Sequence, residues 1–337
     1  MGVFDNGLPD ARQSTVMLFR YSLLLNALLL GAQTLPPPPP AFPAGRFYAP
    51  YIMPRPAPDL ADNYLSQLSD SSGIRYFTLA FIIDGGGCQA GWGARTPLGQ
   101  ETALAPAIEN LRAHGGDILI SFGGEAGKEL ALACDSVAAL QAQYQAVIDK
   151  YKLTVLDLDI EGTAIKDSAS VDRRNAALAA IQTANPGVQV SYTLPVNPSG
   201  LAPSGVALLN NAMSHGVKVT VVNLMTMDYG GSADPQSMGP YAITAVNGTI
   251  AQMLDNGIRA RIGIIPMIGN NDVKPEVFSL ADAKQVSDWA QANPVVVRMS
   301  MWSVSRDNGC AAGVARGSCS GVPQQAYDFS KILGTFH

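Results

Sequence analysis

The chain has 337 residues, of which 47% are hydrophobic and 15% charged, enough apolar material for one large domain or two smaller ones. Its net charge of −5 with no basic cluster excludes a surface built to grip a phosphate backbone, so no nucleic-acid partner is expected. The cysteines at 88, 134, 310 and 319 form no CxxC pair and lie away from the histidines at 114, 215 and 337, so no metal or other cofactor is expected.

The first feature along the chain is "YSLLLNALLLGAQT" from Tyr21, with Arg20 before it and small Gly31 and Ala32 at its end. An apolar run of about a dozen residues is signal-peptide length and too short to span a bilayer. Residues 1–32 therefore read as a targeting region, with Met17 a natural start, and the protein as secreted, with oxidised cysteines and no membrane attachment once the signal is removed. Over 33–45 a polyproline stretch, "TLPPPPPAFPAG", can join neither helix nor sheet and reads as a tether.

From Arg46 onward, β-rich apolar runs alternate with segments of helical period. The expected strands are 46–52, 76–83, 117–124, 154–161, 188–196, 219–229, 260–268 and 297–304. Between and after them lie amphipathic helical stretches such as 136–152, 171–184 and 282–292, several stopping at Gly, Asn-Pro or Asn-Gly. Strands this apolar are covered on both faces, as parallel strands are. Eight such units over 46–337 have the size and rhythm of an α/β fold of the (β/α)8 TIM-barrel kind in a single domain, with a doubly wound open sheet as the alternative. The stretch "GGEAGKE" (123–129) fails as a phosphate loop, because Phe122 stands where its first Gly belongs and Glu129 where Ser or Thr belongs.

The fourth strand, "TVLDLDIEG" (154–162), carries three acids two apart. Alternation puts Asp157, Asp159 and Glu161 on one face and Leu156, Leu158 and Ile160 on the other. In a barrel the acidic face would line the lumen and climb to the C-terminal rim, where such barrels keep their active sites. Carboxyls roughly 6–7 Å apart there cannot all ionise, so one should hold a proton and serve as a general acid. A solvent-facing acidic patch fits the flanking apolar runs poorly, and a metal cage lacks further ligands at other strand ends.

"LDLDIEG" resembles the DxxDxDxE signature of glycoside hydrolase family 18, the chitinases and their relatives, with Thr154 in place of the first acid. By parity Thr154 points away from the other three, so its replacement should touch the support of the site more than its chemistry. "SFGG" (121–124) is similar to the family's SxGG motif, which implies that Ser121 sets a hydroxyl near Asp157. "NLMTMDYGG" (223–231) resembles its strand-six motif, implying Asp228 as the acid at the substrate acetamido group and Met225 as a site-lining residue. "MSMWSVSRDNG" (299–309) resembles its last strand, whose tryptophan, here Trp302, floors the subsite of the reacting sugar. The last two segments look most like those of archaeal chitinase catalytic domains.

Met227 stands where many members carry Tyr, so the tyrosine at the acetamido carbonyl would be Tyr229 or Tyr192. Trp92, in the loop after strand two, could be a second sugar platform, whereas Trp289 lies mid-helix and reads as packing.

The resemblance implies a secreted chitinase acting on chitin or chitooligosaccharides as a monomer, by retaining hydrolysis in which the substrate's own N-acetyl group is the nucleophile. Glu161 would be the acid, Asp159 would stabilise the cyclised acetamido group, and Asp157 would share a proton with Asp159. A sugar-binding lectin on the same barrel, or a hydrolase trimming N-glycans, are the alternatives; such lectins typically replace the terminal acid, here present as Glu161. Cys88 with Cys134 and Cys310 with Cys319 are the expected bridges, and "NGT" (247–249) is a glycosylation acceptor only in a eukaryotic host.

Overall fold

The structure is a computed structural model and describes residues 45–54, 61–232, 237–310, 314 and 316–337; the targeting region, and the tether apart from Gly45, lie outside the described residues. Its frame is eight parallel strands. β1 comes in two halves, Phe47–Tyr48 and Tyr51–Ile52; then follow β2 (Tyr76–Asp84), β3 (Asp117–Gly123), β4 (Val155–Asp159), β5 (Gln189–Asn197), β6 (Val219–Met225), β7 (Arg261–Ile265) and β8 (Val296–Met299). Each pairs with its sequence neighbour from β2 through β8.

The first half of β1 pairs with β8 and its second half with β2, which closes the ring. Pro50 in the interruption has no N–H to give, and the flanking Ala49 and Tyr51 amides carry the pairing up along β8, to the carbonyls of Met299 and Met301. The barrel therefore has no free edge, and the open doubly wound sheet is excluded.

A helix follows each strand: α1 (Tyr64–Ser72), α2 (Leu104–Ala113), α3 (Val137–Tyr151), α4 (Ser168–Ala184), α5 (Pro203–Ser214), α6 (Met238–Asp255), α7 (Leu280–Ala292) and α8 (Asp328–Leu333). Local chemistry sets several starts. The Ser136 and Asp167 side chains accept from backbone amides at the first turns of α3 and α4, and Ser279 with Asp282 forms a reciprocal capping box on α7.

The main apolar core lies between the strands and these helices, where Leu156, Leu158 and Ile160 of the acidic stretch are buried. Trp289 packs against that core, as its mid-helix position suggested. A small separate cluster, Phe47, Ala49, Leu119 and Val155, plugs the lower lumen.

The expected strands overrun the observed ones at the rim, most of all β6, which ends at Met225, and β8, which ends at Met299. There the strands splay, and pairing survives as single bonds such as Trp302 N–H to the Pro266 carbonyl and Ile268 N–H to that of Trp302.

Both expected disulfides are present, Cys88–Cys134 joining the loops after β2 and β3 and Cys310–Cys319 closing part of the loop after β8. The β3–α3 loop is anchored beneath by Glu129, which caps the short helix Leu130–Ala133 and bonds the fully buried Arg174 of α4 at 2.7 Å. Removing one partner of such a pair leaves the other charge buried alone. Glu129→Ala is expected to cost about 3 kcal/mol in stability, read as a lower denaturant midpoint at unchanged slope.

Candidate active site

Asp157 points into the closed lumen and is only 1% exposed. Five side chains from four other strands donate to it. Tyr51 (2.8 Å), Ser121 (2.9 Å) and Thr193 (2.9 Å) reach Oδ2, while Ser191 (2.6 Å) and Asn223 (2.9 Å) reach Oδ1. The buried Arg298 guanidinium lies 3.9 Å from Oδ1, donates to Ser191 and covers the Phe47 ring. Gly263 leaves the space that Asn223 and Arg298 fill, since a Cβ there would collide with the Asn223 amide.

Two residues higher, Asp159 is 4% exposed and shares a hydrogen bond with Glu161. Burial first, then the charges of Glu161 and Asp157, push the Asp159 carboxyl well above its ordinary range. Glu161 is raised too, by burial and then by the nearby charges of Glu125 and Asp228, against the bond to Asp159. Asp159 and Glu161 are thus joined to each other, whereas Asp157 acts on Asp159 through its charge. Both Asp157 oxygens are already occupied by the donors around them.

The SxGG resemblance has a steric basis here. Gly123 has φ +101°, and a side chain on it would run into the carbonyl of Asp159. Gly124 N–H donates to that same carbonyl at 2.9 Å, so the glycines let β3 close against the end of β4 where the acids stand.

Above the acids a cavity of about 470 Å³ opens at the C-terminal ends of the strands. Asp159, Glu161, Met225, Asp228 and Trp302 line it, with Glu125 and Asp272 from loops. Its floor is aromatic: Trp302 stacks on Phe81 at 5.7 Å and 18°, with Tyr51 5.9 Å from Trp302. Asp228 is raised by burial, and its Oδ1 accepts the Val273 N–H at 2.8 Å.

Ser121, Met225, Asp228 and Trp302 therefore gather with the three acids, whereas three other expected residues do not. Tyr192 faces outward, fully buried, and donates to Asn175 of α4; its neighbours Ser191 and Thr193 are the lumen residues, as strand alternation requires. Tyr229 does not line the cavity; it is buried beside Tyr241, beyond the turn that follows Asp228. Trp92 is 4% exposed and donates to the Tyr151 hydroxyl, fastening a hairpin to α3. Tyr51, Thr193, Asn223 and Arg298 escaped the sequence reading. The signal that could have found them is a polar residue at lumen parity in an otherwise apolar strand.

Fold and site together define a (β/α)8 barrel with a carboxyl-lined cleft at its catalytic rim. No family model matches the chain. It is 35% identical over 313 residues to the probable bifunctional chitinase/lysozyme of Escherichia coli K12, covering 86% of this chain and 34% of that protein. It is also 35% identical over 295 residues to endochitinase 11 of Metarhizium anisopliae, covering 80% of this chain and 54% of the other. The chain thus spans about a third and about half of those two lengths. Active domain 2 of the Pyrococcus furiosus chitinase, also solved complexed with chito-oligosaccharides, superposes with a TM-score of 0.76 at 31% identity, covering 86% of this chain and 94% of that domain. The chain belongs to glycoside hydrolase family 18, the chitinase family.

A carboxyl whose folded pKa is raised favours the fold at low pH, and that contribution fades as pH climbs from the unfolded value to the folded one. Asp159 is such a group. Asp159→Asn is accordingly expected to raise the unfolding midpoint at neutral pH, with the gain vanishing below about pH 4, where both states are protonated; chemical denaturation at the two pH values measures it.

Proposed function

We propose that this barrel is a secreted chitinase that cleaves β-1,4 bonds between N-acetylglucosamine units with retention, using the substrate's acetamido group as nucleophile. The observation that carries the reading is the hydrogen-bonded Asp159–Glu161 pair lining a cleft floored by Trp302. Protonated Glu161 would give its proton to the glycosidic oxygen as the C1–O bond breaks. The acetamido carbonyl oxygen attacks C1 from the other side and closes an oxazolinium ring. Asp159, which then turns from Glu161 to the acetamido N–H, stabilises the positive charge. Water attacks C1 and loses a proton to Glu161, which reopens the ring and restores the acid.

In this scheme Asp157 stays in its nest of donors, and its charge keeps Asp159 from ionising cheaply. Asp228 would face the acetamido group, and Trp302 would stack on the sugar ring, whose C–H groups suit a π face. Both curated relatives are chitinases by name, and the Pyrococcus furiosus domain takes chito-oligosaccharides. Glu161 at the head of the ladder speaks against a sugar-binding lectin.

The reading includes export, supported by the apolar run at 21–32 and the two disulfides. Among the described residues no helix is long and apolar enough to cross a membrane. The reading takes the chain to act as a monomer.

Glu161→Gln is expected to fold normally and to lose about a hundred- to ten-thousand-fold in kcat on chitooligosaccharides; undiminished turnover would sink the assignment. NMR during early turnover should show the β anomer of the new reducing end first, since two displacements at C1 restore its configuration. The alkaline limb of kcat/KM should lie above the ordinary carboxyl range, because burial raises Glu161.

A further inference from the structure

Asp228 has φ +52°, a left-handed backbone that L-residues with a side chain seldom adopt. Its surroundings account for it. The loop after β7 carries a small hairpin, Gly269–Asn270 with Val277–Phe278, and between its strands lie Asn271 and Glu276, each 3% exposed. Asn271 Oδ1 accepts the Asp228 N–H at 3.2 Å, while its Nδ2 donates to the carbonyls of Met267 and Gly269. Glu276 accepts the next two amides, Tyr229 N–H on Oε2 at 3.1 Å and Gly230 N–H on Oε1 at 2.6 Å. Consecutive amides converging on one carboxylate form an anion nest. Here the anion is supplied by a different loop.

The same loop grips the side chain of Asp228, through Val273 N–H to Oδ1. It is itself tied down from the β8 side. Arg306 donates to the carbonyls of Ile268 and Asn270, and Asn270 N–H donates to the carbonyl of Ser320, next to Cys319 of the second disulfide. A chain of hydrogen bonds therefore runs from the loop after β8, through the loop after β7, to the backbone of the cleft acid that follows β6.

We infer that Glu276 and Asn271 are positioning residues, holding Asp228 in its left-handed turn so that its carboxyl faces the cleft that Glu161 also lines. The inference rests on the functional reading above only for what Asp228 does once held. Neither residue lines the cavity. Each reaches the cleft by way of the turn that carries Asp228.

Two independent readouts separate this role from general stability. In a crystal structure of Glu276→Ala, Asp228 is expected to leave the left-handed region and release Val273, an outcome that needs no activity. Asp228 unmoved in that crystal overturns the proposal even if the enzyme is active, and a displaced Asp228 in an inactive wild type upholds it while the functional reading fails. In kinetics, Glu276→Ala should lower kcat by about ten-fold or more with KM little changed, since a misplaced group costs that much. Glu276→Gln, which keeps one acceptor oxygen, should lie between it and wild type.

On an Asp228→Asn background, Glu276→Ala should cost less than about two-fold, because residues acting through one another are not additive. Losses that multiply in the double variant overturn the proposal, as does a lowered Tm with unchanged kcat.

The pH profile gives a further check. Glu161 is faced by Asp159, Glu125 and Asp228, and Asp228 by Asp272, Glu125, Glu276 and the more distant Arg306. The Asp228 charge helps hold Glu161 up, so withdrawing Asp228 should move the alkaline limb of kcat/KM to lower pH. A limb that stays in place in Glu276→Ala contradicts the proposal.

Discussion

The barrel is organised around a carboxyl group buried where water cannot reach it. An uncompensated charge in such a place costs several kcal/mol, a large share of a domain's whole stability. Asp157 is compensated from around the ring: Tyr51 of β1, Ser121 of β3, Ser191 and Thr193 of β5 and Asn223 of β6 all donate, with Arg298 of β8 close by. Strands far apart in sequence thus meet at one side chain, and the partners exist only when the barrel is closed. Burial that would forbid the residue in an open sheet becomes, in a closed one, a means of fixing the lumen.

Asp159 and Glu161 complete the contrast. They stand two and four residues on from Asp157 in sequence but have each other rather than a set of donors; burial raises both, with the charges of Glu161 and Asp157 adding to Asp159 and those of Glu125 and Asp228 to Glu161. Three carboxyls of similar intrinsic acidity are sorted by environment into a fixed support and a mutually bonded pair. The aromatic floor of Trp302, Phe81 and Tyr51 bounds the pair on one side, and Tyr51 links the two levels by donating to Asp157.

The loops above the strands carry the upper part of the site, and they are braced by disulfides and an ion pair. Cys88–Cys134 ties the loops after β2 and β3, Glu129 with Arg174 anchors the latter from below, and Cys310–Cys319 steadies the loop behind Asn270. Exposed, solvent-bathed loops are the natural place for binding groups and also the natural place for motion. Here buried polar bonds and disulfides restrict the second without giving up the first.

Alternation of apolar and polar residues determined, without further help, that eight strands and their helices exist, that Asp157 and Asp159 share a face, and that the face opposite them is core. Those are local properties, since side chains on a strand obey a period of two wherever the strand lies. The same rule, applied to "SYTLP", already directs Ser191 and Thr193 inward and Tyr192 outward, toward Asn175. What lay beyond local rules was everything set by how strands and loops meet across the ring. Trp92 went to a hairpin anchor and Tyr229 to the far side of a left-handed turn, because loop geometry has no sequence period. Which of three neighbouring carboxyls would be held in a set of donors depended on side chains delivered by β1, β3, β5 and β6, and distance along the chain carries no record of that convergence.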